Sequence, residues 1–434
     1  MLTGIKQRIS RIPAVDRMKK QTEKRLAGNR LIAANGAIDS RLQEKRKTGE
    51  KIHVVFVCHR PAVWGALRSV YDAIKEDDRF CVSFVAIPSK KLLPDLGLDH
   101  EIYESEGAEE FWKDCGCING YDYYTGKWLD LKTLNPDYIF FQQPYNSMLC
   151  REYASGIVSQ YAKLCYVSYF AACKYGDLYD ESLPLDFLRD VSFYFSQNTV
   201  DDRFVRNRVD LANGGMTKVC LTGYPKYDYA RQYAASGLEA KRKDHQFGII
   251  WTPRWTTNEG LCHFFDYKDK LVEYCLDNPT VDLIFRPHPQ AFLEWERTGE
   301  LPEKEREAYL RIFDQNSHLH VDQSKNYYPL LYASNCLVTD MSSIVFDYML
   351  TGNPVILCMD QDKDGFYEDI GDGLYRVSTW DELSDTLSML VGGEDPLYDM
   401  RQRIVRERMN ITDEGAGVKI ARILAEDAFG VNER

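Results

Sequence analysis

No stretch of this 434-residue chain is apolar for the roughly 18 consecutive residues that a membrane-spanning helix needs. The first residues also lack the apolar core of a secretory leader, so neither a span nor a signal peptide is expected. G-x-G-x-x-G and G-x-x-x-x-G-K-[ST] are both missing, so neither the dinucleotide fingerprint nor P-loop phosphate chemistry is expected. Histidine is scarce, with 8 residues, and His245, His263, His318 and His320 show no spacing of a metal site; no metal or cofactor is expected. The 12 cysteines are scattered, with Cys115 and Cys117 the one close pair and no second pair at zinc spacing. Such a distribution fits buried free thiols in a reducing cytoplasm. No internal repeat or low-complexity segment is visible.

Positive charge is short overall but concentrated. The net charge is −12, yet residues 1–50 hold 13 Lys/Arg against 5 Asp/Glu, a balance of +8 that leaves −20 for the remainder. A basic arm on an acidic body is expected, and the acidic body argues against nucleic acid as a partner. Within the arm Leu2, Ile5, Ile9, Ile12, Val15 and Met18 recur near a helical period. Such a helix would lie on an anionic membrane surface, or would pack on the body or mediate oligomerisation. The 28 tyrosines fit half-buried packing better than a ligand-lined cleft.

From Lys51 onward, short apolar runs alternate with helical patterns. Residues 52–58, 80–87, 138–141, 165–170 and 191–196 read as one series of strands, and 247–251, 281–285, 318–321, 336–338 and 354–357 as a second. The pattern predicts an α/β chain of two Rossmann-like, doubly wound domains facing a cleft. The expected divisions are a helical arm at 1–50, a domain at 51–225, a linker at 226–246, a second domain at 247–400 and a helical segment at 401–434.

Ligands of open parallel sheets sit beyond the carboxyl ends of strands. In the second half that rule selects Thr252-Pro253-Arg254, Arg286-Pro287-His288-Pro289 and Thr339 to Ser343. Two Arg, a His and several hydroxyls suit the phosphates of a nucleotide donor. Ser342 and Ser343 open a helix whose N–H groups would face an anion, unless they only cap it. His288, held between two prolines, would donate to a phosphate oxygen or protonate a leaving phosphate. Arg286 would join it there, or pair with Asp340 or Asp347. The stretch from Asp360 to Gly365 starts like a calcium loop but carries Gly371 where the twelfth-position Glu belongs, so Asp360 reads instead as a contact to hydroxyls or as a solvated loop residue. In the first half the rule selects His59, Gln142, Gln143 and Tyr169. This less charged set suits an acceptor, with His59 as the general base.

The runs Ile250-Trp251-Thr252-Pro253-Arg254-Trp255, Arg286-Pro287-His288-Pro289, Val338 to Tyr348, Gly352 to Ile356 and Asp360 to Tyr367 resemble, in order and spacing, the CDP-glycerol glycerophosphotransferase family of wall teichoic acid primases and polymerases. The resemblance covers roughly residues 245–370 and implies a GT-B fold with a cytidine-nucleotide donor on the second domain. It implies that His288, Ser342 and Ser343 hold the donor's phosphates, with Arg286 and Thr339 beside them; Arg254, selected by its place after a strand, and Asp360, in the loop that follows one, complete the expected donor set. It implies CDP-glycerol or a related cytidine nucleotide as donor, a lipid-linked or saccharide acceptor, teichoic-acid-like or capsular polymer as product, and a peripheral place on the inner face of the cell membrane. The His-Pro and Ser-Ser pairing is also similar to bacterial sialyl- and polysialyltransferases, which use a CMP-sugar, so both resemblances imply a cytidylyl donor; the alternative function is a glycosyltransferase using a CMP- or UDP-sugar. The family's polymerases carry a Trp-His-Gly-Thr segment in the first domain; here the corresponding stretch looks like Tyr166-Val167-Ser168-Tyr169-Phe170, without His. That departure leaves room for a catalytically degenerate binding subunit and makes His59 the substitute base.

Overall fold

The computed structural model describes residues 13–91, 102–104, 116–171, 183–235, 246–258, 260–324, 326–359, 370–409 and 414–430. The chain folds as two compact units, one of residues 1–226 with 411–434 and the other of residues 227–410.

The first unit begins with helix α1, Pro13–Thr48. Strand β1, Ile52–Cys58, is a continuous apolar run, as a parallel strand covered on both faces must be. Helix α2, Gly65–Lys75, leads to β2, Phe80–Ala86, then to β3, Ile118–Asn119, β4, Tyr138–Phe141, β5, Lys163–Val167, and β6, Val191–Ser196. Helix α3, Thr199–Asn213, is capped by Asn198, whose side chain accepts from the N–H groups of Val200 and Asp201, and it closes at Gly214 with φ 75°. Strand β7, Lys218–Leu221, completes a parallel sheet of order β7-β6-β5-β4-β1-β2-β3. Phe56 and Phe140 stack across β1 and β4 with ring centroids 4.9 Å apart.

The second unit opens with α4, Lys226–Ala235, which begins at the boundary residue. Its strands are β8, Phe247–Thr252, β9, Val281–Phe285, β10, Leu319–Val321, β11, Cys336–Thr339, β12, Val355–Cys358, and β13, Tyr375–Val377. They pair in parallel in the order β10-β9-β8-β11-β12-β13, which is the 3-2-1-4-5-6 arrangement of a doubly wound sheet. The connecting helices are α5, Phe264–Asp277, α6, Ala291–Thr298, α7, Glu303–Gln315, α8, Ile344–Met349, α9, Trp380–Val391, and α10, Tyr398–Arg408. A capping box of Thr379 and Glu382 starts α9. One core runs from Trp251, Phe264 and Trp295 through Phe285, Val338 and Ile356 to Leu383 and Leu387.

The chain then returns to the first unit as α11, Ala416–Phe429. The tail expected as one segment at 401–434 therefore divides, with α10 in the second unit and α11 in the first. Gly417 permits the return, because a Cβ there would come within 2.5 Å of the Ser69 backbone on α2. The arm is likewise part of the unit rather than a free extension. Ala27, Leu31, Ile38 and Leu42 of α1 are buried, while Met18, Leu26 and Ile32 stay exposed. Packing of α1 on the body thus begins at Ala27; of the apolar positions that suggested a membrane face, Leu2, Ile5, Ile9 and Ile12 lie outside the described residues, as do the linker residues 236–245, and Met18 is exposed.

Charged groups lock α1 and α11 to the amino ends of the strands. Asp137, fully buried, accepts from Arg41 at 2.9 Å, Lys45 at 2.7 Å and the His53 N–H at 2.8 Å. Asp427 of α11 takes Lys163, also paired with Asp39, together with Lys218 and the Tyr138 hydroxyl at 2.7 Å each. Each buried cation meets a carboxylate, which a buried charge requires.

Candidate donor and acceptor corners

In both sheets the strand order reverses beside the first strand of the series. A crevice forms there beyond the carboxyl ends, at β1/β4 in the first unit and at β8/β11 in the second.

In the second unit the reversal is stitched shut by two threonines in register. The Thr252 hydroxyl donates to Thr339 Oγ1 at 2.7 Å, and Thr339 donates back to the Thr252 carbonyl at 2.9 Å. Thr339 has no exposed surface and its hydroxyl bonds inward, so it supports the corner from below rather than touching a donor. The next residue, Asp340, is 2% exposed and accepts three N–H groups: Arg254 N at 2.7 Å, His263 N at 3.2 Å and His263 Nδ1 at 2.7 Å. Burial pushes its carboxyl above the usual range, and the His263 bond opposes that. The Arg254 guanidinium bonds Thr256 Oγ1 at 3.0 Å and the Met341 carbonyl at 3.1 Å, alongside the serine corner.

His288 follows β9. Its ring stacks on Trp255, with centroids 5.4 Å apart and planes 19° apart. Its Nδ1 accepts the Gln290 N–H at 3.2 Å, so the neutral ring carries its proton on Nε2. Burial first, and then the charge of Arg254, hold its pKa below the ordinary value, although the residue keeps an exposed surface. It is therefore a neutral donor beside a permanent cation. Ser343 is exposed at the start of α8 and its side chain caps no N–H. Ser342, half-buried, accepts a long 3.5 Å bond from Ile344 N. Helix α8 has six residues, so local N–H groups rather than a long dipole would meet an anion.

Arg286 departs from both expected arrangements. Its guanidinium pairs with Asp322 after β10, bonds the Ser324 carbonyl at 2.9 Å and lies over the Tyr327 ring at 5.0 Å. Asp347 instead accepts from the Tyr327 and Tyr328 hydroxyls, at 2.6 and 3.2 Å. Arg286 thus braces the loop after β10, and its carboxylate partner lies 36 residues away, beyond the reach of local pattern. Asp360 lies outside the described residues.

In the first unit His59 stands at the reversal, but enclosed. It is 5% exposed, and its Nε2 bonds Gln143 Oε1 at 2.8 Å. Burial pushes its pKa down to about 4, with the Gln143 bond opposing and nearby Arg60 adding to the effect. Such an imidazole is a weak base, tied on the nitrogen that meets Gln143. Gln142 accepts the His59 and Arg60 N–H groups, at 2.8 and 2.9 Å, and returns a bond to the Arg60 carbonyl at 3.1 Å. Both amides thus build the corner from within. Tyr169 is more open: it is half-buried and shares a 3.0 Å hydroxyl contact with Tyr145. The residue that sequence reasoning passed over is His263, set aside for lacking metal spacing; its position just ahead of the amphipathic α5, at the far end of the loop after β8, was the available signal. Among the described residues no cluster of His, Cys, Asp and Glu could hold a metal ion.

No curated protein sequence matches the chain. Among solved structures it is similar to the UDP-GlcNAc 2-epimerase of Neisseria meningitidis bound to UDP-GlcNAc, with 13% identity and TM-score 0.55 over 87% of this chain and 99% of that one. A UDP-N-acetylglucosamine 2-epimerase from Listeria monocytogenes, described as putative, gives 15% and 0.55 over 87% and 95%. The wall teichoic acid polymerase TagF gives 14% and 0.54 over 93% and 97%. At these identities the likeness establishes the fold, the two-Rossmann GT-B arrangement. Residues 186–426, over half of the chain, match the family described as CDP-Glycerol:Poly(glycerophosphate) glycerophosphotransferase. The match reaches beyond 245–370 into the first unit, and by it the chain belongs to the CDP-glycerol glycerophosphotransferase family.

Proposed function

We propose that this enzyme moves glycerol phosphate, or ribitol phosphate, from a CDP-activated donor to a hydroxyl acceptor, releasing CMP, in the synthesis of a teichoic-acid-like or capsular polymer. The observation that carries the reading is His288, neutral, backed by Trp255 and beside Arg254, in a chain whose family performs this transfer. The acceptor oxygen attacks the β-phosphorus of the donor as its proton passes to water, and the bond from that phosphorus to the CMP oxygen breaks. Negative charge grows on the departing CMP. His288 Nε2–H donates to a phosphate oxygen, and Arg254 with the Ser342-Ser343 turn stabilises the same charge. CMP is a weak base and needs no proton to leave, so a neutral donor suffices. His59, Gln142 and Gln143 shape the acceptor corner, and Tyr169 with Tyr145 lines it.

No described helix is long and apolar enough to cross a membrane. We place the enzyme peripherally on the anionic inner face, held by the exposed Arg17, Lys19, Lys20 and Arg25 of α1 near a lipid-linked or saccharide acceptor. The test is a donor panel of CDP-glycerol, CDP-ribitol, a CMP-sugar and a UDP-sugar, with released CMP, CDP and UDP identified by mass spectrometry. CMP release from a CDP-polyol supports the proposal; turnover of a sugar nucleotide alone refutes it in favour of glycosyl transfer.

A further inference from the structure

The three N–H groups on Asp340 come from the two ends of one loop, residues 254–263. The same ends meet again where the Cys262 thiol donates to the Arg254 carbonyl at 2.8 Å. The loop carries Trp255, on which His288 rests, and Arg254, whose side chain reaches the Met341 carbonyl. Arg254 is therefore tied to Asp340 directly through its own N–H, the Ser342-Ser343 turn through Met341, and His288 through Trp255 and Arg254. Of the three bonds, only the imidazole bond comes from a side chain and can be removed without touching the backbone.

We propose that His263 is a positioning residue for phosphate transfer: through Asp340 it closes the 254–263 loop onto the Thr339–Ser343 turn and so fixes Trp255 and Arg254 around His288. This inference rests on the donor-site reading above. A buried carboxylate needs its acceptor capacity filled, and Nδ1–H supplies the side-chain part of it. With that bond gone, Asp340 keeps two backbone N–H partners, so the corner loosens while the fold stands. A displacement on the order of 1 Å in such a frame lowers a rate about 100-fold.

The test compares His263→Ala with His263→Asn in the full-length protein. Asn places an amide N–H where Nδ1–H stood but has no imidazole to hold or pass a proton. His263→Ala is expected to lower kcat for CMP release from the donor by about 10- to 100-fold, with the donor KM changed less than about threefold. His263→Asn is expected to recover to within about threefold of the parent. An Asn variant as slow as the Ala variant overturns positioning in favour of proton chemistry at His263, and an Ala variant with parental kcat overturns it outright. Amide hydrogen exchange over residues 253–257 reads the same claim without turnover. Exchange should quicken in His263→Ala and return to the parental rate in His263→Asn; equal exchange in parent and Ala variant refutes the inference. A parent that releases no CMP from any CDP-polyol refutes the proposed function instead, and exchange still decides the role of His263.

Discussion

His288 shows how much a side chain's neighbours can settle. Gln290 takes Nδ1, Trp255 takes a ring face, and burial with Arg254 disfavours a second proton, so the ring is held as a neutral Nε2–H donor, the state that the proposed phosphate contact requires. Removing one such donor from a charge-stabilising site typically lowers kcat by about 100- to 1,000-fold. His288→Ala should show a loss of that size in CMP release, with a thermal midpoint near the parent's, since the residue is exposed. His59 makes a different prediction. Its folded pKa of about 4 lies below the ordinary 6.5, so the unfolded chain takes up a proton first as pH falls. Its contribution is intact above pH 6.5 and is lost progressively down to pH 4, by up to about 3 kcal/mol. Urea unfolding of the parent and His59→Gln at pH 7 and pH 5 should therefore show a parent more sensitive to acid than the variant. The corner residues were legible because turns after apolar runs are local features. Their partners were not: Asp340 meets His263 across 77 positions, and Arg286 finds Asp322 rather than Asp340 or Asp347. Thr339 and Ser342 look alike in a string of letters, and only the sheet register puts one hydroxyl under the corner and leaves the other half-buried at the turn.

The elements were read where one force dominates. The apolar runs at 52–58 and 336–338 had to be strands covered on both faces, and they are. Helix α1 was ambiguous because its apolar positions serve packing from Ala27 onward, while its basic positions face two tasks. Arg41 and Lys45 turn inward to Asp137, whereas Arg17, Lys19, Lys20 and Arg25 remain exposed. The two groups should separate on mutation. Asp137→Asn strands Lys45 in a buried site and should cost about 3–5 kcal/mol in unfolding experiments. Charge reversal of Lys19, Lys20 and Arg25 should leave the thermal midpoint near the parent's but weaken sedimentation with anionic vesicles, with the difference from the parent shrinking as salt rises. Helix α11 is judged by Gly417: replacement with Val meets the Ser69 backbone and should lower the melting temperature of the first unit.

At the scale of the whole molecule the two units differ in how the chain supplies them. The second is one unbroken stretch, Tyr227–Asn410, with its own core and the proposed donor corner. Expressed alone, it should fold, and should bind CMP without transferring anything; calorimetry with CMP and a transfer assay check both halves of that expectation. The first unit is assembled from both ends of the chain, and Asp427 in its last helix neutralises the buried Lys163. Domains usually fold as they leave the ribosome, amino-terminal first. Here the continuous second unit can be complete while the unit that begins the chain still waits for α11. A chain cut short before α11 would therefore hold a finished second unit beside an unfinished first one. Translation through α11 is the event that completes the first unit.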